Sequence, residues 1–414
     1  MMRFGLTACL VLALTQPGAT AGDWPQWRGP ERTGVSAETG LLKEWPAGGP
    51  PLAWKATGLG GGYSTPSVAG GRVFLMGSQG DDEYVTALDE RDGRRLWSTR
   101  VGRVGENRGP KYPGPRSTPT VDGELLYTLG SDGDLVCVES AAGKVRWRHH
   151  LVKEFKGNPG IWAYAESVLI DGDKLICTPG GPVATMLALD KRTGAVVWKM
   201  AMESANGADY ASATVAEVGG VRQYVQFLGT GVISAAADDG RLLWRYRGNL
   251  GGAHAAAPIF HDGCVFTSAS GTEGAGGDAL LRLSAVGREV KYKEVYLERH
   301  MLNHHGGVVR VGDYLYGGGG PGLVCMDFKT GALKWKARSV GRGALVVADG
   351  HLYLRAPEGA VALAEATPAG YREKGRFRQP DRSRFPAFAH PVVANGRLHL
   401  RDADVLLCYD VKAK

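Results

Sequence analysis

The chain has 414 residues, with 49 Lys and Arg against 42 Asp and Glu, giving a formal charge of +7 at pH 7. That surplus is small for the length, and with no basic tail or recognition motif beside it, a nucleic-acid partner is not expected. Sixty-two glycines and many Asp-Gly turn pairs, with no long stretch of helical apolar spacing, exclude a mainly helical protein.

Met1, Met2 and Arg3, an apolar run from Phe4 to Leu14, and the closing Ala19-Thr20-Ala21 read as a signal peptide over 1–21, cleaved near Ala21. The protein is therefore expected in a periplasm or outside the cell. Lipid anchoring at Cys9 is not expected, because cleavage there would leave too few apolar residues ahead of it. No later stretch reaches the roughly 18 to 20 apolar residues that span a bilayer as a helix, so no transmembrane segment is expected. An N-terminal extension over 22–50, opening with DWPQWRGP, is expected to pack on the domain that follows, with Trp24 and Trp27 as anchors.

From 51 to 414 the chain repeats. TALDERDGRRLW ends at Trp97, VCVESAAGKVRW at Trp147, LALDKRTGAVVW at Trp198 and VCMDFKTGALKW at Trp335, each with an acidic residue (Asp89, Glu139, Asp190, Asp327) eight positions before the tryptophan. Looser copies place Ala236 before Trp244 and Ser284 before Tyr292. Each copy reads as a strand, a turn whose backbone N–H groups the carboxylate accepts and whose glycine takes a left-handed conformation, and a second strand bearing a large aromatic. Another strand pair precedes each copy. Eight such units predict an all-β fold: a single eight-bladed β-propeller of four-stranded antiparallel blades, expected as a monomer. The eighth unit ends at LLCYDVKAK without a last strand, whereas PPLAWKA around Trp54 is a strand without partners. Trp54 and its neighbours are predicted to complete the last blade and close the ring, which removes an open sheet edge.

LDERDGRRLW and LDKRTGAVVW resemble the pyrroloquinoline quinone (PQQ) repeat of PQQ-dependent dehydrogenases and of the propeller lipoprotein of the β-barrel assembly machinery. DWPQWRGP, GGGYSTPSV, YPGPRSTPTVDG and NHHGGVVRVGDYLYGG are further similar to PQQ-binding-like β-propeller repeat proteins of secreted bacterial proteomes. The resemblance implies the fold from about Asp23 onward and leaves the function open between scaffold and enzyme. PQQ dehydrogenases carry adjacent cysteines beside the quinone, and this chain has no Cys-Cys pair, so PQQ is a possible but unsupported cofactor. Cys137, Cys177, Cys264, Cys325 and Cys408 are expected as buried free thiols.

In a propeller the segment leading into each first strand opens at one mouth of the central channel. These segments are GGGYS (Tyr63), YPGPRS (Tyr112, Arg116), GIWAYAES (Trp162, Tyr164, Glu166), GADYAS (Asp209, Tyr210), GGAHAAA (His254), LNHHGG (His304, His305), SVGRGA (Arg342) and FPAFAHP (Phe388, His390). Tyr63, Arg116, Trp162, Glu166, Tyr210, His254, His304, His305 and His390 are the ligand-binding candidates, since aromatic and polar groups converging on a natural opening make a binding site. No catalytic role or metal ligand is assigned among them. A basic stretch with Arg100, Arg103, Arg108, Lys111, His149, His150, Lys153 and Lys156 flanks blades 2 and 3. The preferred expectation is a binding or scaffolding module with a protein partner or a small-molecule or saccharide ligand at the channel mouth. The alternative is a PQQ- or metal-dependent oxidoreductase using the His, Tyr and Glu residues of the funnel.

Overall fold

The computed structural model describes residues 22–108, 112, 114–271, 275–319 and 322–413. The expected signal peptide, with Cys9, lies outside them, as does Lys111. Eight sheets of four antiparallel strands occupy 67–103, 120–150, 169–200, 214–246, 259–298, 303–337, 344–378 and, for the last, 392–410 together with Leu52–Ala56. Leu52–Ala56 lies antiparallel to Val405–Asp410, with Trp54 opposite Cys408, so the ring closes where the sequence left a strand missing at one end and spare at the other. Blade 7 keeps all four strands and is joined on its inner side by Val35–Ser36 running parallel to Ala344–Ala348.

The repeated tryptophan is what docks one blade on the next. Each indole N–H donates to a carbonyl in the turn of the following blade: Trp54 to Glu90 (3.0 Å), Trp97 to Ser140 (3.2 Å), Trp147 to Lys191 (3.1 Å), Trp198 to Ala237 (3.3 Å) and Trp335 to Thr367 (2.9 Å). The turn glycine lies against the indole face. A Cβ on Gly93, Gly143 or Gly240 would come within 2.5 Å of Trp54, Trp97 or Trp198, and all three glycines have positive φ. The acidic residue of the repeat closes the turn as its chemistry requires: Asp190 Oδ1 accepts from the N–H groups of Arg192 and Thr193, and Asp327 Oδ1 from those of Lys329 and Thr330. The looser copies depart from this pattern. Trp244 donates within its own blade to Gln223, and in blade 5 the residue that docks forward is Tyr296, whose hydroxyl donates to Phe328 O at 2.9 Å, while Tyr292 packs back on Trp244.

Near the axis, hydroxyls tie the inner strands together. Ser212 Oγ accepts from Ser167 N–H, Ser167 Oγ from Thr118 N–H, and Thr65 Oγ1 from His390 N–H, each link joining neighbouring blades. The segment from 22 to 36 runs inside this ring. Trp24 pairs with Val68, Pro25 O accepts from Val121 N–H, Arg32 donates to Ser167 O and Val168 O, Arg28 to Val308 O, and Gly34 O accepts from Val347 N–H. Those partners belong to blades 1, 2, 3, 6 and 7, so the segment fills the channel. It meets the inner strands at and just beyond the residues that line the mouth, to which it adds Trp27.

Candidate functional site

A funnel of about 590 Å³ opens at the channel mouth, and residues from all eight blades line it. Tyr63, Tyr112, Arg116, Trp162, Tyr210, His304, His305, Arg342, Phe388 and His390 all face it, as does Trp27 from the segment that fills the channel. The aromatic wall has a continuous side. Tyr63, Tyr112 and Phe388 meet pairwise at 5.5–6.2 Å between ring centroids, His305 packs on Phe388 at 4.5 Å, and Trp162 on Tyr210 at 5.2 Å. Arg116 lies over Tyr63 and donates to the carbonyls of Gly114 and Tyr112, with burial lowering its pKa.

The three funnel histidines are held neutral. Burial, then His304, His390 and Arg342, push His305 down to about 3; burial and then Arg28 push His390 down to about 3; burial and Arg342 lower His304. His304 Nδ1 and His305 Nδ1 lie 3.0 Å apart. In a neutral pair one of these atoms donates and the other accepts, which leaves one Nε2–H donor and one Nε2 lone pair for a ligand. His390 Nε2 donates to His305 O at 3.1 Å and its ring meets Trp27 edge-on at 4.5 Å, so it braces the pair from below. Among the described residues, no third His, Cys, Asp or Glu joins His304 and His305 within range of one ion.

Glu166 and His254, also expected at the mouth, do not line the funnel. Glu166 is buried behind the wall, where it accepts from Thr178 N–H (2.7 Å), Thr178 Oγ1 (3.0 Å) and Gln226 Nε2 (3.2 Å), and burial pushes its carboxyl up to about 7. His254 accepts from Gly251 N–H at Nε2 and donates from Nδ1 to Asp209 Oδ2 at 2.7 Å, so both ring nitrogens are committed. Tyr164 likewise turns inward, donating to Pro179 O. Glu358, Ser167, Ser212 and Thr65 also line the funnel and were not expected there. The last three carry a signal in retrospect, a hydroxyl at the start of several first strands. The five described cysteines are free and buried, in strands of different blades.

Residues 32–106, 81–276 and 282–369, more than half of the chain, match the family of the outer membrane protein assembly factor BamB. The chain belongs to this family. BamB of Xanthomonas campestris pv. campestris is 28% identical over 189 residues, covering 43% of this chain and 41% of that protein. BamB of Salmonella typhimurium is 24% identical over 140 residues, covering 33% of this chain and 31% of the relative. The chain thus spans less than half the length of these curated relatives. Among solved structures, BamB from Moraxella catarrhalis superposes with a TM-score of 0.55 at 16% identity, covering 82% of this chain and 94% of that one. The quinohemoprotein alcohol dehydrogenase of Comamonas testosteroni reaches 0.66 at 14% identity, covering 95% and 81%. At such identities the likeness is one of fold, and it joins assembly factors and oxidoreductases alike. Among the described residues no helix is long and apolar enough to cross a membrane.

Proposed function

We propose that this BamB-family propeller works in the periplasm or outside the cell as a binding or scaffolding module, taking a small-molecule or saccharide ligand in the funnel and a protein partner on its surface. The funnel itself carries the ligand half of this reading: a blind, aromatic-walled cavity with neutral histidines and arginine at its rim has the form of a small-ligand pocket. The relatives' designation as assembly factors supports the protein partner, and the leader-like start of the sequence supports the compartment.

An oxidoreductase reading fits less well. The residues present do not suit PQQ as the quinoprotein neighbours' repeat would suggest, because the chain has no adjacent cysteines and Glu166 and Asp209 are turned into hydrogen bonds away from the funnel.

The test is a titration of the purified chain, followed by intrinsic tryptophan fluorescence, since Trp27 and Trp162 line the cavity. The probes are neutral and acidic oligosaccharides and PQQ with Ca²⁺. A saturable response to a saccharide that disappears in Trp162→Ala and His305→Ala supports the pocket. Failure of every probe, with the protein folded, removes the ligand half. Tight binding of PQQ with dye reduction in the presence of an alcohol would replace the reading with the enzymatic one.

A further inference from the structure

The basic stretch beside blade 2 contains a second cluster, away from the funnel. Asp134 begins the third strand of that blade and His150 ends the fourth, and the register sets them directly opposite each other. Asp132 sits in the turn just before. One ligand atom from each of the three lies within 4.8 Å of the others. His150 Nε2 and Asp132 Oδ2 are 3.4 Å apart, the separation of two donors each about 2.0–2.2 Å from a common ion at tetrahedral angles.

Two observations set this apart from an ordinary surface ion pair. Both ring nitrogens of His150 are buried and neither makes a hydrogen bond, so the approach to Asp132 does not satisfy the imidazole. A buried, unpaired imidazole is costly unless something else meets it. The frame around it is also fixed. Glu154 accepts from His150 N–H at 2.7 Å and meets His149 Nδ1 at 2.6 Å, Leu151 N–H donates to Gly133 O, and Ser131 N–H donates to the buried carboxylate of Glu83. On the other side Gly102 makes room: a Cβ there would stand 2.2 Å from Asp134 Oδ2.

We propose that Asp132, Asp134 and His150 bind a divalent transition-metal ion of the zinc class, locking the turn of blade 2 to the end of its outer strand. One nitrogen and two carboxylate oxygens suit zinc, whereas calcium and magnesium call for oxygen sets. The Asp132 side chain is 41% exposed, so a further coordination position faces solvent. The site is independent of the funnel ligand, since none of its residues lines that cavity.

The experiment is calorimetric titration of the chelator-treated full chain with Zn²⁺. One site per chain is expected, and Asp132→Asn and His150→Gln should each weaken it by more than the ~10–100-fold that loss of an outer-shell partner costs. Metal-free melting of both variants reports whether they fold, and Asp132→Asn, a nearly isosteric change of a half-exposed side chain, carries the test if His150→Gln does not. The double variant His304→Ala/His305→Ala should leave the affinity unchanged. Absence of saturable binding, binding that survives Asp132→Asn, loss of binding in the funnel double variant, or equal affinity for Ca²⁺ each overturns the proposal.

Discussion

Substituting Gly240 by alanine tests whether the tryptophan-to-turn contact is what holds neighbouring blades together. Gly240 has φ +74°, and an added Cβ would lie 2.4 Å from Trp198 Cε3 and 2.6 Å from Cδ2. The obstacle is an indole buried between blades 3 and 4 with its N–H held by Ala237 O, so neither side yields cheaply. Left-handed backbone costs an alanine about 1–2 kcal/mol, and overpacking a fitted contact adds about 1–3 kcal/mol. Gly220, in a turn of the same blade, supplies the control: its φ is +76°, but nothing lies within 4 Å of its missing Cβ. Gly220→Ala should lose only the backbone share. In urea unfolding, with slopes unchanged between variants, Gly240→Ala should therefore be less stable than Gly220→Ala by about 1–3 kcal/mol. Equal losses would mean that the contact contributes nothing beyond turn geometry.

Three further outcomes are expected. His399 is buried with neither ring nitrogen bonded, and burial pushes it down to about 3, so the folded protein keeps it neutral while the unfolded chain takes up a proton near the usual ~6.5. Its contribution thus makes stability fall as pH drops from about 6.5 toward 3, by up to ~1.4 kcal/mol per pH unit, whereas Glu83 and Glu166, pushed up to about 7, bind protons in the folded state first and work the other way. His399→Leu should flatten the loss of stability below pH 6.5 by roughly that slope, and superimposable pH profiles would refute it. Arg28→Met leaves the carbonyls of Thr33 and Val308 without their donor in the channel, at about 1–3 kcal/mol each. It should expose 22–50 to trypsin while the propeller stays intact, and an unchanged digestion pattern counts against the segment's dependence on Arg28. Cys137 and Cys408, with thiols pushed up to about 12 by burial, should resist maleimide until the protein unfolds, and labelling of the native chain would contradict their placement.

The ring was legible because its information is local and repeated. An acidic residue, a turn glycine and a tryptophan at fixed spacing specify a hairpin and its docking face together, and each blade needs only its neighbours. The closure was legible for the complementary reason, a strand lacking at Val405–Asp410 and one in surplus at Leu52–Ala56. Where the motif weakens, so did the reading. Tyr292 keeps the spacing in blade 5, yet Tyr296 docks forward, because once the turn residues differ the strand offers whichever aromatic reaches the next blade. For 22–36 the sequence suggested packing on the propeller with Trp24 and Trp27 as anchors, but not the path inside the ring. The segment's bonds to blades 1, 2 and 7 run through backbone carbonyls and amides, which leave no trace in residue type, and those to blades 3 and 6 come from Arg32 and Arg28, whose targets are backbone carbonyls that the sequence does not mark.

The site shows the same division between position and partner. His254 and the His304–His305 pair stand at equivalent places in consecutive blades, and repeat spacing alone treats them alike. Their fates separate because of what the preceding blade contributes. Blade 4 leads in with Asp209, held at φ +51°, whose carboxylate reaches His254 and draws it into the wall. At the lead-in to blade 6 a carboxylate from a different place in the preceding blade, Asp278 in the third strand of blade 5, accepts from the N–H groups of Met301 and Leu302 and from Ser268, so it braces the backbone ahead of the histidines and does not bond their rings. The two rings then meet each other, one nitrogen donating to the other, and keep an unequal pair of Nε2 atoms. A carboxylate placed one blade back thus decides whether a mouth histidine is structural or open to a ligand. On that argument Asp209→Asn, by weakening the grip on His254, should leave the pocket at His304 and His305 unaffected, whereas any change that frees the Asp278 carboxylate from its backbone partners should disturb it.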